Sequence, residues 1–136
     1  MTKYKNNYFV DGSKITGNLK HCAYVIFKND KIKKSVVLQE DLNVYEVEGL
    51  AVFECLEMAP YKSRIFCDNQ QIVKELNDKK EPKDLEFYEK CKELMNEKNI
   101  QVLKVKRDEN HAGRYLEKRL TKIKNSINHK YKWINL

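Results

Sequence analysis

Short apolar runs alternate along this chain with longer stretches in which apolar residues recur every three or four positions. The two patterns predict strands and helices respectively. Tyr4 to Val10 reads as a first strand, ending on Asp11, Gly12 and Ser13. Ser13 to Lys20 reads as a turn region containing Gly17 and Asn18. His21 to Lys28 is strongly strand-like, Asn29-Asp30 is a turn signal, and Lys31 to Gln39 completes a hairpin. Glu40 to Asn43 is a loop. From Val44 to Ala59 the pattern is helical: Val47, Ala51, Cys55 and Met58 share a face, Leu50, Val52 and Leu56 widen it, and Pro60 ends it. Arg64 to Cys67 is a short buried strand ending on Asp68, and Asn69 to Asn77 is a second helix. Asn77 to Asp84 is a polar loop, followed by a third helix from Leu85 to Asn96 with Leu85, Tyr88, Cys91, Leu94 and Met95 inward. Gln101 to Lys106 is a fifth strand. Asn110 to about Asn128 is a basic amphipathic helix with Leu116, Leu120, Ile123 and Ile127 on one side.

The order is βββαβααβα. Tight turns make the first three strands antiparallel, and helical crossovers after the third imply parallel pairing for the rest. The expected fold is therefore α/β, a five-stranded mixed sheet flanked by helices.

At 136 residues the chain is expected to be one domain over 1–136, large enough to bury a core. No apolar run approaches membrane-spanning length, which argues against a membrane partner. The start, Met1 to Asn6, is basic with no apolar segment behind it, unlike a secretory signal. Cys22, Cys55, Cys67 and Cys91 form no Cys-x-x-Cys pair and three lie in apolar runs, so they read as reduced core residues of a cytoplasmic protein without structural zinc. The net charge of +7 is uneven: Lys98 to Lys132 holds eleven basic residues against Asp108, Glu109 and Glu117. Such a basic third suits a polyanion, or equally a solvated lysine-rich surface.

The candidate chemistry lies in the acids. Asp11 closes one apolar strand and Asp68 another, and Glu48 lies near the start of the helix between them. A carboxylate at the end of a buried strand is costly unless something positive meets it. Three acids delivered by separate elements suit a hard divalent cation. Each has a bland alternative: Asp11-Gly12 as a hairpin turn, Asp68 as a helix N-cap, Glu48 as a surface acid. Glu46 rivals Glu48, and periodicity does not separate them.

From Tyr4 to Ile127 the chain resembles the ribonuclease H family. The resemblance rests on Asp11-Gly12-Ser13 after the first strand, and on Glu48-Gly49-Leu50-Ala51 followed by Leu56-Glu57 in the first helix. Phe66-Cys67-Asp68-Asn69 before the second helix completes it. It is a compact variant, since the region from Asn77 to Leu85 is too short for the basic lobe that many members carry. The resemblance implies a monomeric endoribonuclease that cuts the RNA strand of RNA–DNA hybrids with two Mg²⁺ or Mn²⁺ ions, roughly 4 Å apart, leaving 5′-phosphate ends. It assigns Asp11, Glu48 and Asp68 as catalytic metal ligands, with Asp11 bridging, and favours Glu48 over Glu46. Gly12, Ser13, Asn69, Gln70, Arg107, Asn110, His111 and Arg114 are then expected at the substrate. The family's fourth acid position is occupied here by Arg114, so Glu117 is a candidate for that ligand, with Asp108, Glu109 and His111 as other contributors. A guanidinium at that position also raises the alternative of a nucleic-acid-binding module that has lost catalysis, and the fold equally serves nucleases acting on other nucleic-acid duplexes or junctions.

Overall fold

The computed structural model describes residues 6–15 and 21–134, and for Ile123, Lys124 and residues 126–134 the backbone alone. The expectations resting on Tyr4, Gly17, Asn18 and the side chains of Ile123 and Ile127 lie outside the described residues.

Five strands form one sheet: β1 (Asn6–Ile15), β2 (His21–Lys28), β3 (Lys31–Leu38), β4 (Ser63–Cys67) and β5 (Gln101–Lys104). Their order across the sheet is β3-β2-β1-β4-β5. β1, β2 and β3 are antiparallel neighbours, and β4 and β5 add in parallel to β1. Among the described residues there are four α-helices: α1 (Val44–Met58), α2 (Gln70–Leu76), α3 (Leu85–Lys98) and α4 (His111–Ile134). The expected fold class and element order hold. Among the described residues, no helix is long and apolar enough to cross a membrane.

The first strand is longer than its apolar run. It continues through Asp11, Gly12 and Ser13 to Ile15, paired all the way with β2. Its pairing with β4 stops at Val10↔Cys67. Asp11 is therefore mid-strand, at the point where β1 loses its parallel neighbour. Pairing with β2 holds the polar segment extended, which the loss of apolar residues had suggested was a turn.

Alternation along the strands divides the core. Tyr8, Val10, Tyr24, Ile26, Ile65 and Cys67 face α1, while Ala23, Val25 and Phe27 pack against Ala112 and Leu116 of α4. Lys98 fixes the far end of α1 by donating to the carbonyls of Leu56, Glu57 and Ala59 at 2.7–3.1 Å. All four cysteines are buried and unpaired. Two expected core residues are not in the core: Leu85 is 60% and Met58 41% exposed. Leu85 opens α3, and Phe87 takes the inward place by meeting Tyr45 edge-on. At the end of α1, Ala59 is buried in place of Met58. The last strand stops at Lys104, and Arg107–Glu109 form a 3-10 turn that the polarity pattern did not reveal.

Candidate metal centre

The end of β4 is where the acids meet. Asp68 directly follows Cys67, whose partner on β1 is Val10, so Asp68, just past the end of β4, lies beside Asp11 within β1. Glu48 comes from α1, which rests directly on β1. A Cβ on Gly12 would lie 2.9 Å from the Val47 carbonyl carbon and oxygen and 3.0 Å from the Glu48 nitrogen. Only glycine admits this contact, and it carries Glu48 to the sheet. Carboxylate oxygens of Asp11, Glu48 and Asp68 all lie within 4.8 Å of one another.

Neutral amides hold these acids. Asn69 caps α2 by accepting from the Ile72 N–H at 3.1 Å, while its Nδ2 donates to Glu48. Asp68 is thus not the cap. Asn110 is fully buried; its Nδ2 donates to the Val10 carbonyl and to Asp68 Oδ2, both at 3.0 Å, and its Oδ1 accepts from the Ala112 N–H. Glu46 is settled as well. It closes a capping box with Asn43 at the start of α1, at 2.8 and 3.1 Å, and is committed there.

The electrostatics are those of an uncompensated cluster. Burial, then repulsion from Asp68 and Glu48, push Asp11 up from the ordinary 3.8 to about 8, against the Gly12 N–H and the Arg107 guanidinium. Glu48 is raised chiefly by burial, and the Asn69 hydrogen bond opposes this. Amides orient carboxylates without neutralising them. A divalent cation would supply the missing charge, and three hard oxygen donors suit Mg²⁺ or Mn²⁺.

No protein-family model matches the sequence, and no curated protein matches it. Solved structures do. An N-terminal RNase H domain from Mycobacterium tuberculosis, solved as a maltose-binding-protein fusion, superposes with a TM-score of 0.63 at 16% identity, over 80% of this chain and 88% of that one. RNase H1 from the halophilic archaeon Halobacterium salinarum gives 0.61 at 18%, over 79% and 89%. LC11-RNase H1, in complex with an RNA/DNA hybrid, gives 0.59 at 14%, over 78% and 88%. The fold is ribonuclease H-like.

Within this ribonuclease H-like core the remaining candidates separate. A cleft of about 580 Å³ opens beside Asp11, with Ser13, Arg107, Asp108, Arg114 and Glu117 among its lining residues. Arg114 stays on the wall of this cleft, where its guanidinium donates to the Asp108 carbonyl at 2.8 and 3.2 Å. Gly113 of α4 lies against Asp11: a Cβ there would be 3.3 Å from Asp11 Oδ2. Glu117, one turn further on, shares the cleft but stands outside the cluster of three. Glu109 does not line the cleft. His111, expected at the substrate, is stacked on Phe9 at 4.4 Å and paired with Asp30 at 3.1 Å. Gln70 is exposed and lines a different cavity. Asn69 and Asn110, also expected at the substrate, hydrogen-bond Glu48 and Asp68 respectively. Each stands immediately before a helix, α2 and α4, and that position was the available signal.

Asn110→Ala leaves the Val10 carbonyl and the Ala112 N–H without partners and frees Asp68. The expected cost is about 2 kcal/mol of stability, read from urea unfolding, with a roughly tenfold loss of divalent-metal affinity.

Proposed function

We propose that this protein is a metal-dependent endoribonuclease that hydrolyses the RNA strand of RNA–DNA hybrids. The observation that carries the reading is the Asp11–Glu48–Asp68 cluster, drawn within 4.8 Å at the carboxyl end of β4 in a ribonuclease H-like sheet. The relative solved with an RNA/DNA hybrid supports the choice of substrate. Bound Mg²⁺ or Mn²⁺, two ions in the proposed scheme, would polarise the scissile phosphate and supply hydroxide at neutral pH.

The chain's own residues do the rest. Asp11, Glu48 and Asp68 hold the cations, and Asn69 and Asn110 keep Glu48 and Asp68 from rotating away. Glu117 is the proposed fourth acid, reaching back along α4 past Gly113, since helical side chains lean toward the N-terminus. Arg107 and Ser13 line the cleft where the backbone phosphates would pass, and exposed Lys118, Arg119 and Lys122 continue the positive charge along α4. Arg114 raised the alternative of a binding module in which a guanidinium replaces the cation. Its guanidinium donates to the Asp108 carbonyl on the wall of the same cleft, and turnover in the assay below decides between the two readings.

The test is a panel of labelled substrates with Mg²⁺, Mn²⁺ or EDTA: hybrid, single-stranded RNA, RNA duplex and DNA duplex. Metal-dependent cuts in the RNA strand of the hybrid alone are expected. Preferential cutting of another duplex would reassign the substrate, and binding without cutting would reassign the protein to recognition.

A further inference from the structure

Beside the metal centre, on the edge formed by α2 and β5, lies a second cavity of about 320 Å³. It is lined by Gln70, Val73, Lys74, Asn77, Lys79 and Lys104. Three lysine side chains line one hollow, with the Lys104 ammonium donating to the Val105 carbonyl at 3.0 Å, and the way they are brought together is informative. α2 ends in a Schellman closure: the Lys79 N–H returns to the Lys74 carbonyl at 2.8 Å and the Asp78 N–H to Glu75 at 3.1 Å, with Asp78 left-handed at φ 61°. This turn folds Lys79 back over Lys74. Asn77 then ties the helix end to the sheet, donating to the carbonyls of Val73 at 2.8 Å and Val102 at 2.9 Å. Lys104 lies two residues beyond Val102 on the same face of β5 and pairs in register with Cys67, the residue before Asp68.

The neighbouring acids do not neutralise this hollow. Asp78 is bound by Lys92 at 3.0 Å and by Tyr88. Glu75 is buried, accepting from Tyr45 at 2.5 Å and Gln71 at 3.0 Å. Among the described residues, none of the three lysines forms an ion pair. Lys74, Lys79 and Lys104 are exposed, on a frame fixed by backbone and Asn77 bonds.

We infer that the Lys74–Lys79–Lys104 pocket binds the phosphate backbone of the nucleic acid whose scissile bond lies at the acidic cluster. Gln70 reaches its rim two residues after Asp68, so the pocket flanks the metal centre within a few nucleotides along one strand. Lysines act here as point charges on phosphate, without base readout. The inference rests on the nuclease reading and extends the substrate path to the far side of the acids from α4.

The experiment is hybrid binding by fluorescence anisotropy in EDTA, from 50 to 200 mM salt. Wild type is compared with Lys74→Gln/Lys79→Gln/Lys104→Gln and with a control of equal charge change, Lys31→Gln/Lys33→Gln/Lys90→Gln. Each phosphate contact contributes about 0.9 to the slope of log K against log salt for a B-form duplex. The pocket variant should lose about 2–3 of that slope and the control none. An unchanged slope, or an equal loss in the control, overturns the pocket and leaves the nuclease reading standing. A wild type that neither binds nor cuts the hybrid overturns both.

Discussion

Asp11→Asn is expected to lower metal-dependent cleavage by on the order of 10³-fold or more, and Asp68→Asn to do the same. Both substitutions keep side-chain size, so the change tests charge and ligation alone. Burial, then the charges of Asp68 and Glu48, disfavour the ionised form of Asp11, and the three acids lie within 4.8 Å of one another. Removing its charge relieves the metal-free protein, so Asp11→Asn should melt higher than wild type in EDTA at pH 8 while losing activity. Single-turnover cleavage and a thermal melt on the same samples check both halves. A variant that stays active, or that loses activity only by unfolding, contradicts the assignment.

The second large effect is a reversed pH dependence. Most carboxylates stabilise a fold as they ionise, but Asp11 is shifted upward, from 3.8 to about 8. Between those values the folded chain holds a proton that the unfolded chain has released. Stability must then fall as pH rises through that window, levelling off above about 8. Glu48 is raised too and adds to the same slope. The expected loss in EDTA from pH 5 to pH 8 is on the order of a few kcal/mol, read from urea midpoints. Asp11→Asn should flatten the curve. Saturating Mn²⁺ should restore stability most at the alkaline end, because the cation binds the ionised, folded cluster.

Much of this was legible in the sequence, for identifiable reasons. Apolar runs and helical periodicity set the five strands and four helices, since burial of one face is what both patterns encode. The three acids were visible because each sits at the edge of such a pattern. The continuation of β1 through Asp11-Gly12-Ser13 was not legible: those residues are held extended by pairing with β2, a tertiary cause with no local trace. Choosing Glu48 over Glu46 needed more than spacing, and the structure supplies it, since Glu46 caps its own helix and Glu48 lies beside Gly12. The orienting parts of Asn69 and Asn110 depend on long-range contacts, across 21 and 42 residues to their acids. The bond from Arg114 to the Asp108 carbonyl was not legible either, because helical register alone does not say which way a long side chain folds.

The most direct measurement is a Mn²⁺ titration followed by electron paramagnetic resonance at pH 8, without substrate, on wild type and Asp11→Asn. The account predicts saturable binding by wild type and at least a hundredfold weaker binding by the variant. Equal binding by the two proteins, or none by wild type, would contradict the claim that Asp11, Glu48 and Asp68 form a divalent-metal site.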